Sequence, residues 1–380
     1  MAGFSMFLPL GESKSSFNME KAVCNHGFFM MAPNRWIPSS KTLQRPLRLA
    51  DSTTCVTVSI LHPPNRTSLL VRVHDVQNIS YTDQRAILNQ VARMLRISER
   101  DEMAVTEYQK VHPEAKAKGF GRVFRSPTLF EDLVKWSNTL KMARALCELQ
   151  FELSNNKPSA RSGPCKVINQ MDGGILGNFP TSKELAGFDE NTLINDHKVL
   201  GYRAKLILKL ARDVERGTIR LHEFEKALED TSFNQDQVFR RLMKIKGFGS
   251  YACANAMMCI GYYQHVPLDT ETIRHLQEVH GRKNCDKKTA NNYVAEIYDK
   301  YAPYQCLAYW SELLDFYENK FGKLSELPSS SYETVSGSRD GAIYKSAVTL
   351  TPSLLSQLSE HDKLYNNVRD TNYYTNLCDI

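Results

Sequence analysis

The sequence predicts an α+β fold in which a small antiparallel sheet domain precedes a mostly helical domain. Between residues 17 and 75, β-branched stretches such as 54–61 and 68–73 alternate with Pro and Asn turns, a pattern typical of antiparallel strands. After Pro127 the apolar residues recur at helical spacing instead. With 380 residues, the chain is long enough for two domains and a tail.

The sheet domain is expected over residues 17–110 and contains one clear helix. In Asp83–Leu95, the residues Ile87, Val91 and Met94 recur at helical spacing, so one face of this helix can pack on the sheet. The helical domain is expected over residues 111–325. Its predicted helices include 129–136, 140–153, 182–186 and 200–215.

Two glycines interrupt the helical pattern and predict a tight hairpin within residues 237–261. Asn234 is a suitable N-cap for the helix that precedes it, with Gln237 three positions later. Gly247 and Gly249 can both take a positive φ for a sharp turn, and they leave the main chain open to another molecule.

A second helix is expected from Ser250 to Ile260, ending at Gly261. Its free first-turn amides point toward the hairpin, and Lys244 and Lys246 precede them in the chain. Such a helix start suits a phosphate of a nucleic-acid backbone. The alternative is an ordinary helical hairpin, because a Gly-x-Gly motif on its own is common.

A lone carboxylate, Asp269, follows this hairpin. Thr270, Glu271 and Thr272 suit a first helical turn and Gly281 suits the helix end, so Asp269 is a suitable N-cap. A carboxylate held at a helix start can also stabilise a positive charge that develops beside it. The local sequence is compatible with both roles, and an unperturbed aspartate, with a pKa of about 3.9, is ionised at neutral pH.

This run resembles the helix-hairpin-helix signature of the DNA glycosylase superfamily. That signature joins Leu-x-x-[Ile/Leu/Pro]-x-Gly-[Phe/Val/Ile]-Gly to a later hydrophobic-Pro-x-Asp-[Thr/Val] segment. The matching residues here are Leu242, Ile245, Gly247, Phe248, Gly249, Val266, Pro267, Asp269 and Thr270. Looser similarity to 3-methyladenine and 8-oxoguanine glycosylases starts at Phe17 and Phe179, so the resemblance covers roughly residues 17–322.

The resemblance implies that Asp269 is the catalytic carboxylate and that the hairpin binds double-stranded DNA. Its implied DNA-binding residues are Lys244, Lys246, Gly247, Phe248, Gly249 and Ser250. In relatives that also cut the strand, a lysine two residues after the second glycine forms a Schiff base with the sugar. Tyr251 stands there in this chain. We therefore expect a monofunctional glycosylase that leaves an abasic site.

Tyr251 also bears on which base is removed. Relatives that act on alkylated bases tend to carry an aromatic residue at this position, and an aromatic face can stack on a flipped, cationic base. The resemblance therefore favours an alkylated purine as substrate. Packing at the helix start is the alternative role for this side chain.

Charge and cysteine content bound the remaining classes. The chain carries a net charge of +6, and residues 197–246 hold twelve Lys and Arg against seven Asp and Glu, which favours a polyanionic partner. Its nine cysteines include no Cys-x-x-Cys pair, so we expect no metal, no iron–sulfur cluster and no cofactor. Without a signal peptide or membrane span, a nuclear monomer is expected, although an organelle is also compatible.

Two segments limit these expectations. The glycosylase wedge, which fills the space left by a flipped base, falls in a segment (131–143) that is several residues shorter than the family pattern. Asn138, Thr139 and Leu140 are its candidates. Residues 326–380 are polar and are expected to form a mostly disordered tail with a short helix near 353–358.

The short wedge segment supports a second interpretation. A helix-hairpin-helix protein that has lost catalysis would bind DNA as a lesion sensor or scaffold. Strand cleavage by a lysine outside the motif is a third, less favoured interpretation.

Overall fold

The computed structural model describes residues 3–136, 138–155, 167–168, 175–228 and 234–337. Its N-terminal region is an antiparallel sheet with the strand order β1-β5-β4-β3-β2. These strands are Gly3–Pro9 (β1), Arg35–Ile37 (β2), Thr42–Arg48 (β3), Cys55–Leu61 (β4) and Ser68–His74 (β5), and a separate ribbon pairs Val167–Ile168 (β6) with Ile175–Leu176 (β7). The predicted α+β class is confirmed.

Strand β1 lies before the expected domain start at Phe17. It pairs with β5 along its whole length, with Met6 opposite Val71. Its inward residues alternate with outward ones, but the outward residue Phe7 is also apolar and is exposed. The sequence of β1 therefore lacks the alternation of apolar and polar residues that predicts a strand.

Helices form most of the remaining structure. The first group is Met19–Val23 (α1), Tyr81–Leu95 (α2), Glu99–Val111 (α3), Pro113–Lys118 (α4), Leu129–Trp136 (α5), Leu140–Asn155 (α6), Ser182–Ala186 (α7) and Glu190–Asp196 (α8). The second group is Arg203–Glu215 (α9), Leu221–Lys226 (α10), Gln235–Met243 (α11), Ser250–Ile260 (α12), Thr270–Glu278 (α13), Ala290–Tyr298 (α14), Gln305–Phe321 (α15) and Tyr332–Gly337 (α16). Each helix predicted within the described residues is present.

Helix α12 runs through the core of the helical domain, and residues 252–260 are all buried. A buried helix end leaves carbonyl groups that need donors. Two arginines supply them: Arg96 donates to the carbonyl of Met258 at 2.6 Å, and Arg125 donates to that of Cys259 at 2.6 Å. The C-terminal end of α12 is therefore fixed from the side of α2.

A buried ion pair joins the sheet to the helical domain. Arg45 of β3 makes two hydrogen bonds to Glu131 of α5, at 3.2 and 3.1 Å. Lys135, one turn further along α5, lies 2.7 Å from the same carboxylate. All three side chains are almost fully buried. Burial alone would raise the pKa of Glu131, but the two cations lower it to about 2, so the carboxylate is ionised.

The beginning of the expected disordered tail packs on the core. Residues 326–337 include α16, in which Tyr332 and Val335 are buried. The ring of Tyr332 meets Phe29 edge-on at 5.6 Å. Burial of these two apolar residues, spaced three apart, holds the segment on the core although the residues around them are polar. The helix predicted near 353–358 lies outside the described residues.

No helix among the described residues is long and apolar enough to cross a membrane.

Glu131→Ala is expected to lower the free energy of unfolding by about 3–5 kcal/mol, because it leaves two buried cations without their anion. Urea unfolding followed by circular dichroism measures this loss. Glu148→Ala serves as the control, since Glu148 forms a partly exposed pair with Arg144 on α6 and should cost no more than about 0.5 kcal/mol. Equal losses in both variants would contradict a structural role for the buried pair.

Candidate functional site

The predicted helix-hairpin-helix is present. Helix α11 begins with the expected capping box between Asn234 and Gln237, and α12 follows after a short turn. Gly247 takes φ +89°, a conformation that favours glycine. A Cβ atom there would also lie 2.7 Å from the side chain of Leu206 on α9. Gly247 is therefore required by the turn and by its packing on α9.

Gly249 has a different role from the one expected. Its φ is −100°, so it does not use a left-handed conformation, and the prediction of a positive φ there was wrong. The turn is completed at Gly247, and Gly249 is the N-cap of α12. A Cβ atom at this position would meet no protein atom of the described residues within 4 Å. What the glycine provides is open space in front of the helix.

The start of α12 retains free amide groups. Gly249 has no side chain, and no side-chain cap is made at this helix end. Ser250, Lys244 and Lys246 are exposed around it, and neither lysine forms an ion pair with a described residue. Phe248 instead packs partly against the core, so it anchors the hairpin. The geometry suits an anion next to the first turn of α12.

Asp269 is the N-cap of α13, as its sequence context predicted. Its Oδ1 accepts a hydrogen bond from the amide of Thr272 at 2.9 Å, and the hydroxyl of Thr272, which donates to the carbonyl of Pro267 at 2.6 Å, lies 3.1 Å from the same oxygen. The Thr272 hydroxyl also lies 3.4 Å from the amide of Asp269, which completes a capping box. Thr272 engages Oδ1 and leaves the second carboxylate oxygen for other contacts.

The electrostatic state of Asp269 differs from the unperturbed aspartate assumed from sequence. Burial raises its pKa above the usual 3.8, and the neighbouring charge of Glu271 adds to the rise. The hydrogen bonds from Thr272 oppose this shift without cancelling it. Glu271 itself has a lowered pKa, since hydrogen bonds from Arg274 and Tyr317 outweigh its burial. The cap thus holds a destabilised anion in place.

Two tyrosines lie close to this carboxylate. Burial raises the pKa of both Tyr251 and Tyr309, and in each the charge of Asp269 is the next largest cause. The hydroxyl of Tyr309, on α15, is 3.0 Å from that of Thr272, so it contacts the capping box directly. The charge of Asp269 therefore reaches Tyr251, the expected base-contacting residue.

Tyr251 belongs to a cluster of aromatic side chains. We define it as Trp136, Tyr251, Trp310, His26 and Phe28. The ring of Trp136 lies 6.3 Å from Tyr251, 6.0 Å from Trp310 and 4.3 Å from Phe28. Its indole nitrogen donates to the sulfur of Cys259 at 3.1 Å, which fixes the ring against α12. Trp136, Tyr251 and Trp310 are each only half-buried.

His26 is a structural member of this cluster. Burial lowers its pKa to about 4, so the ring is neutral at physiological pH. One ring nitrogen bonds the carbonyl of Phe124 at 2.6 Å, and the other accepts from the amide of Phe28 at 3.3 Å. Both nitrogens are thus occupied by the main chain, and neither is free for proton transfer.

The sequence analysis missed Trp136, Tyr309 and Trp310 as site residues. They come from α5 and α15, which lie far from the hairpin in sequence and contact it only in the folded state. The spacing Asp269-x-x-Thr272, which is that of a capping box, could have identified Thr272. No local pattern marks the aromatic residues.

The candidate wedge residues lie just after α5, at the start of α6. The side-chain amide of Asn138 donates a hydrogen bond to the main-chain carbonyl of Val134 at 2.6 Å, which holds this side chain against α5. Leu140 begins α6 and is half-buried, whereas Thr139 is exposed. Of the three, only Thr139 is exposed, and its hydroxyl oxygen accepts a hydrogen bond from the main-chain amide of Met142 at 3.4 Å.

Solved structures share this architecture. The apo form of Clostridium acetobutylicum 8-oxoguanine glycosylase/lyase matches 78% of this chain and 92% of its own, with a TM-score of 0.54 and 15% identity. The chain has the helix-hairpin-helix DNA glycosylase fold. A complex of MBOgg1 with a low-affinity DNA ligand shares this glycosylase fold at a TM-score of 0.52 and 18% identity, over 81% and 94% of the two chains.

A third structure with this glycosylase fold is the 3-methyladenine DNA-glycosylase from Archaeoglobus fulgidus. It matches with a TM-score of 0.51 and 14% identity, over 83% of this chain and 99% of its own. No family model and no curated protein matches the sequence. The resemblance read from the hairpin motif is thus confirmed at the level of the fold.

Asp269→Asn is expected to leave the thermal midpoint at neutral pH unchanged or raised. Asparagine caps helices as well as aspartate does, and the substitution removes a partly desolvated charge. Because the folded-state pKa of Asp269 lies above the unfolded value, the folded protein takes up the proton first as pH falls. The advantage of the variant should therefore shrink as pH falls through that folded pKa.

Asp189→Asn is the matched control. Asp189 caps α8 through the amide of Thr192 at 3.0 Å, but that hydrogen bond lowers its pKa. This variant should be neutral or slightly destabilised at neutral pH, the opposite sign. If Asp269→Asn were the more destabilising of the two, the proposed electrostatic strain at Asp269 would be refuted.

Proposed function

We propose that this protein is a DNA glycosylase that removes a damaged base from duplex DNA. The observation that carries the proposal is Asp269, a half-buried carboxylate with a raised pKa at the start of α13, whose charge also raises the pKa of Tyr251 at the start of α12. Proteins with this fold include an 8-oxoguanine glycosylase/lyase solved on double-stranded DNA. The proposed reaction belongs to base-excision repair.

The chemistry needs a single fixed anion. Breaking an N-glycosidic bond builds positive charge on the sugar, and a carboxylate already in position stabilises that charge more than it stabilises the neutral substrate. Asp269 is held by its capping box, so it does not have to reorganise. Its raised pKa means that the anion gains more from a nearby cation than a solvated carboxylate would. The same group can orient the attacking water.

The reaction should stop at the abasic site. Strand cleavage requires an amine that attacks the sugar, and the position that carries lysine in bifunctional relatives holds Tyr251. A tyrosine hydroxyl cannot form a Schiff base with the sugar, which supports a monofunctional reaction.

The aromatic cluster favours an alkylated purine as the flipped base. Tyr251, Trp136 and Trp310 lie in one cluster and each retains some solvent exposure. Aromatic faces attract a cationic ring by stacking and cation–π interaction. An alkylated purine is also a good leaving group, and His26, with both nitrogens engaged, does not supply a general acid.

One observation favours a second candidate, a non-catalytic lesion sensor. Helix α5 ends at Trp136 and α6 already begins at Leu140, and the side chain of Asn138 is bonded back to α5. Thr139 is a small side chain for filling the space of a displaced base. A protein that binds lesions through the hairpin without flipping them would fit this feature.

Asp269→Asn should reduce base release by at least about 100-fold while duplex DNA binding is retained, because only the charge at the sugar is lost. Alkylated duplex DNA is incubated with each protein, and alkali-labile sites are counted under single-turnover conditions. Asp189→Asn, which keeps the wild-type charge at the site, should release bases normally.

Two outcomes separate the candidates. Strand breaks without alkali, or a borohydride-trapped protein–DNA adduct, would disprove the monofunctional assignment. Wild-type protein that binds alkylated duplex and releases no base would favour the sensor.

Gly249→Ala should weaken binding to duplex DNA of any sequence by about tenfold, the loss of one or two backbone contacts. The added methyl group meets no atom of the described protein, so folding should be unaffected and only the approaching phosphate is displaced. Fluorescence anisotropy with two unrelated duplexes measures the effect.

Gly187→Ala is the control for this experiment. Gly187 ends α7 with φ −79° and also has open space at its Cβ position. It should bind DNA as the wild type does. Equal affinities for Gly249→Ala and Gly187→Ala would show that DNA does not approach this hairpin.

A further inference from the structure

A second cluster of polar side chains joins α13, the helix that Asp269 caps, to α15. His275 is on α13, His280 follows its end, and Glu312 is on α15. The potential ligand atoms of these three residues all lie within 4.8 Å of one another. His275 is fully buried, whereas His280 and Glu312 retain 20% and 27% of their exposure.

We propose that His275, His280 and Glu312 bind a single divalent transition-metal ion, with zinc as the natural occupant. Two imidazoles and one carboxylate, with solvent in the fourth position, are a donor set that zinc accepts. Bond lengths of about 2.0–2.2 Å place tetrahedral ligands about 3.3–3.6 Å apart. The Nε2 atoms of His275 and His280 lie 3.4 and 2.8 Å from Oε2 of Glu312, so an ion fits after a shift of less than about 1 Å.

The carboxylate of Glu312 faces both imidazoles. Its Oε2 atom lies within hydrogen-bonding distance of both Nε2 atoms, so the three potential ligand atoms converge on one place. The partly exposed position of Glu312, together with that of His280, leaves a route for an ion from solvent.

Hydrogen bonding alone leaves this cluster incomplete. Three groups converge on one oxygen, because the hydroxyl of Tyr298 donates to Oε2 at 2.6 Å in addition to the two histidine contacts. A carboxylate oxygen has two lone pairs, and the His275 contact is the longest of the three. Nδ1 of His275 is buried without a partner in the described structure, so the ring is oriented by what lies at Nε2.

A bound ion would relieve this crowding. It would take the place of the two imidazole protons, and Tyr298 of α14 would continue to donate to the coordinating carboxylate as an outer-shell partner. The ion would link α13 to α15, which carry Asp269 and Tyr309 respectively. We infer a structural role for it, and this inference does not depend on the proposed glycosylase activity.

The test uses tag-free full-length protein, stripped with a chelator and then titrated with Co²⁺. We expect a single equivalent to give the intense visible absorption of a tetrahedral or five-coordinate site, Zn²⁺ to displace it, and Zn²⁺ to raise the thermal midpoint. His280→Gln should abolish the Co²⁺ spectrum and the Zn²⁺ effect. His222→Gln, at an exposed histidine of α10, should change neither.

A second variant tests the proposal even if His280→Gln fails to fold. Tyr298→Phe keeps all three ligands and should weaken Zn²⁺ binding by about 10- to 100-fold through loss of the outer-shell hydrogen bond. Absence of the Co²⁺ spectrum in the wild type would overturn the proposal. A spectrum that persists unchanged in folded His280→Gln, or a Zn²⁺ affinity that is unchanged in Tyr298→Phe, would overturn it as well.

Discussion

The hydrogen bonds between Asp269 and the first turn of α13 place the whole candidate site. Asp269 caps the helix and is at the same time a half-buried carboxylate whose pKa is raised by partial burial. A cap normally stabilises a helix, whereas a buried charge normally destabilises a fold. In this protein one side chain does both, so the helix start keeps in position a carboxylate that burial makes unfavourable. Strain of this kind at a single group is common at functional sites.

The rest of the molecule keeps the surroundings of that carboxylate in place. Arg96 and Arg125 fix the buried end of α12, and its other end carries Gly249 and Tyr251. The Arg45–Glu131 pair attaches α5 to the sheet, and α5 ends at Trp136 in the aromatic cluster. The elements that bring side chains to Asp269 are thus anchored at points far from it.

Much of this arrangement follows from short-range patterns. Asn234 and Gln237 predicted the start of α11, Gly247 predicted the turn, and Asp269 predicted the start of α13, because caps and turns depend on residues a few positions apart. What the sequence could not supply depends on long-range packing. The raised pKa of Asp269 reflects its burial, and the proximity of Trp136 and Tyr309 reflects how α5 and α15 pack. Gly249 was predicted to take a positive φ, but its backbone conformation is one that any residue can adopt. Its contribution is the open space in front of α12, which the sequence did not predict.

The central claim is that Asp269 stabilises positive charge at the sugar, and cationic abasic-site analogues test it most directly. Affinities are measured for two otherwise identical duplexes, one with a pyrrolidinium in place of the damaged nucleotide and one with a neutral tetrahydrofuran. The account predicts that the wild type prefers the cationic duplex by at least about 100-fold and that Asp269→Asn binds both about equally. Equal affinities in the wild type, or a preference that survives in Asp269→Asn, would contradict it.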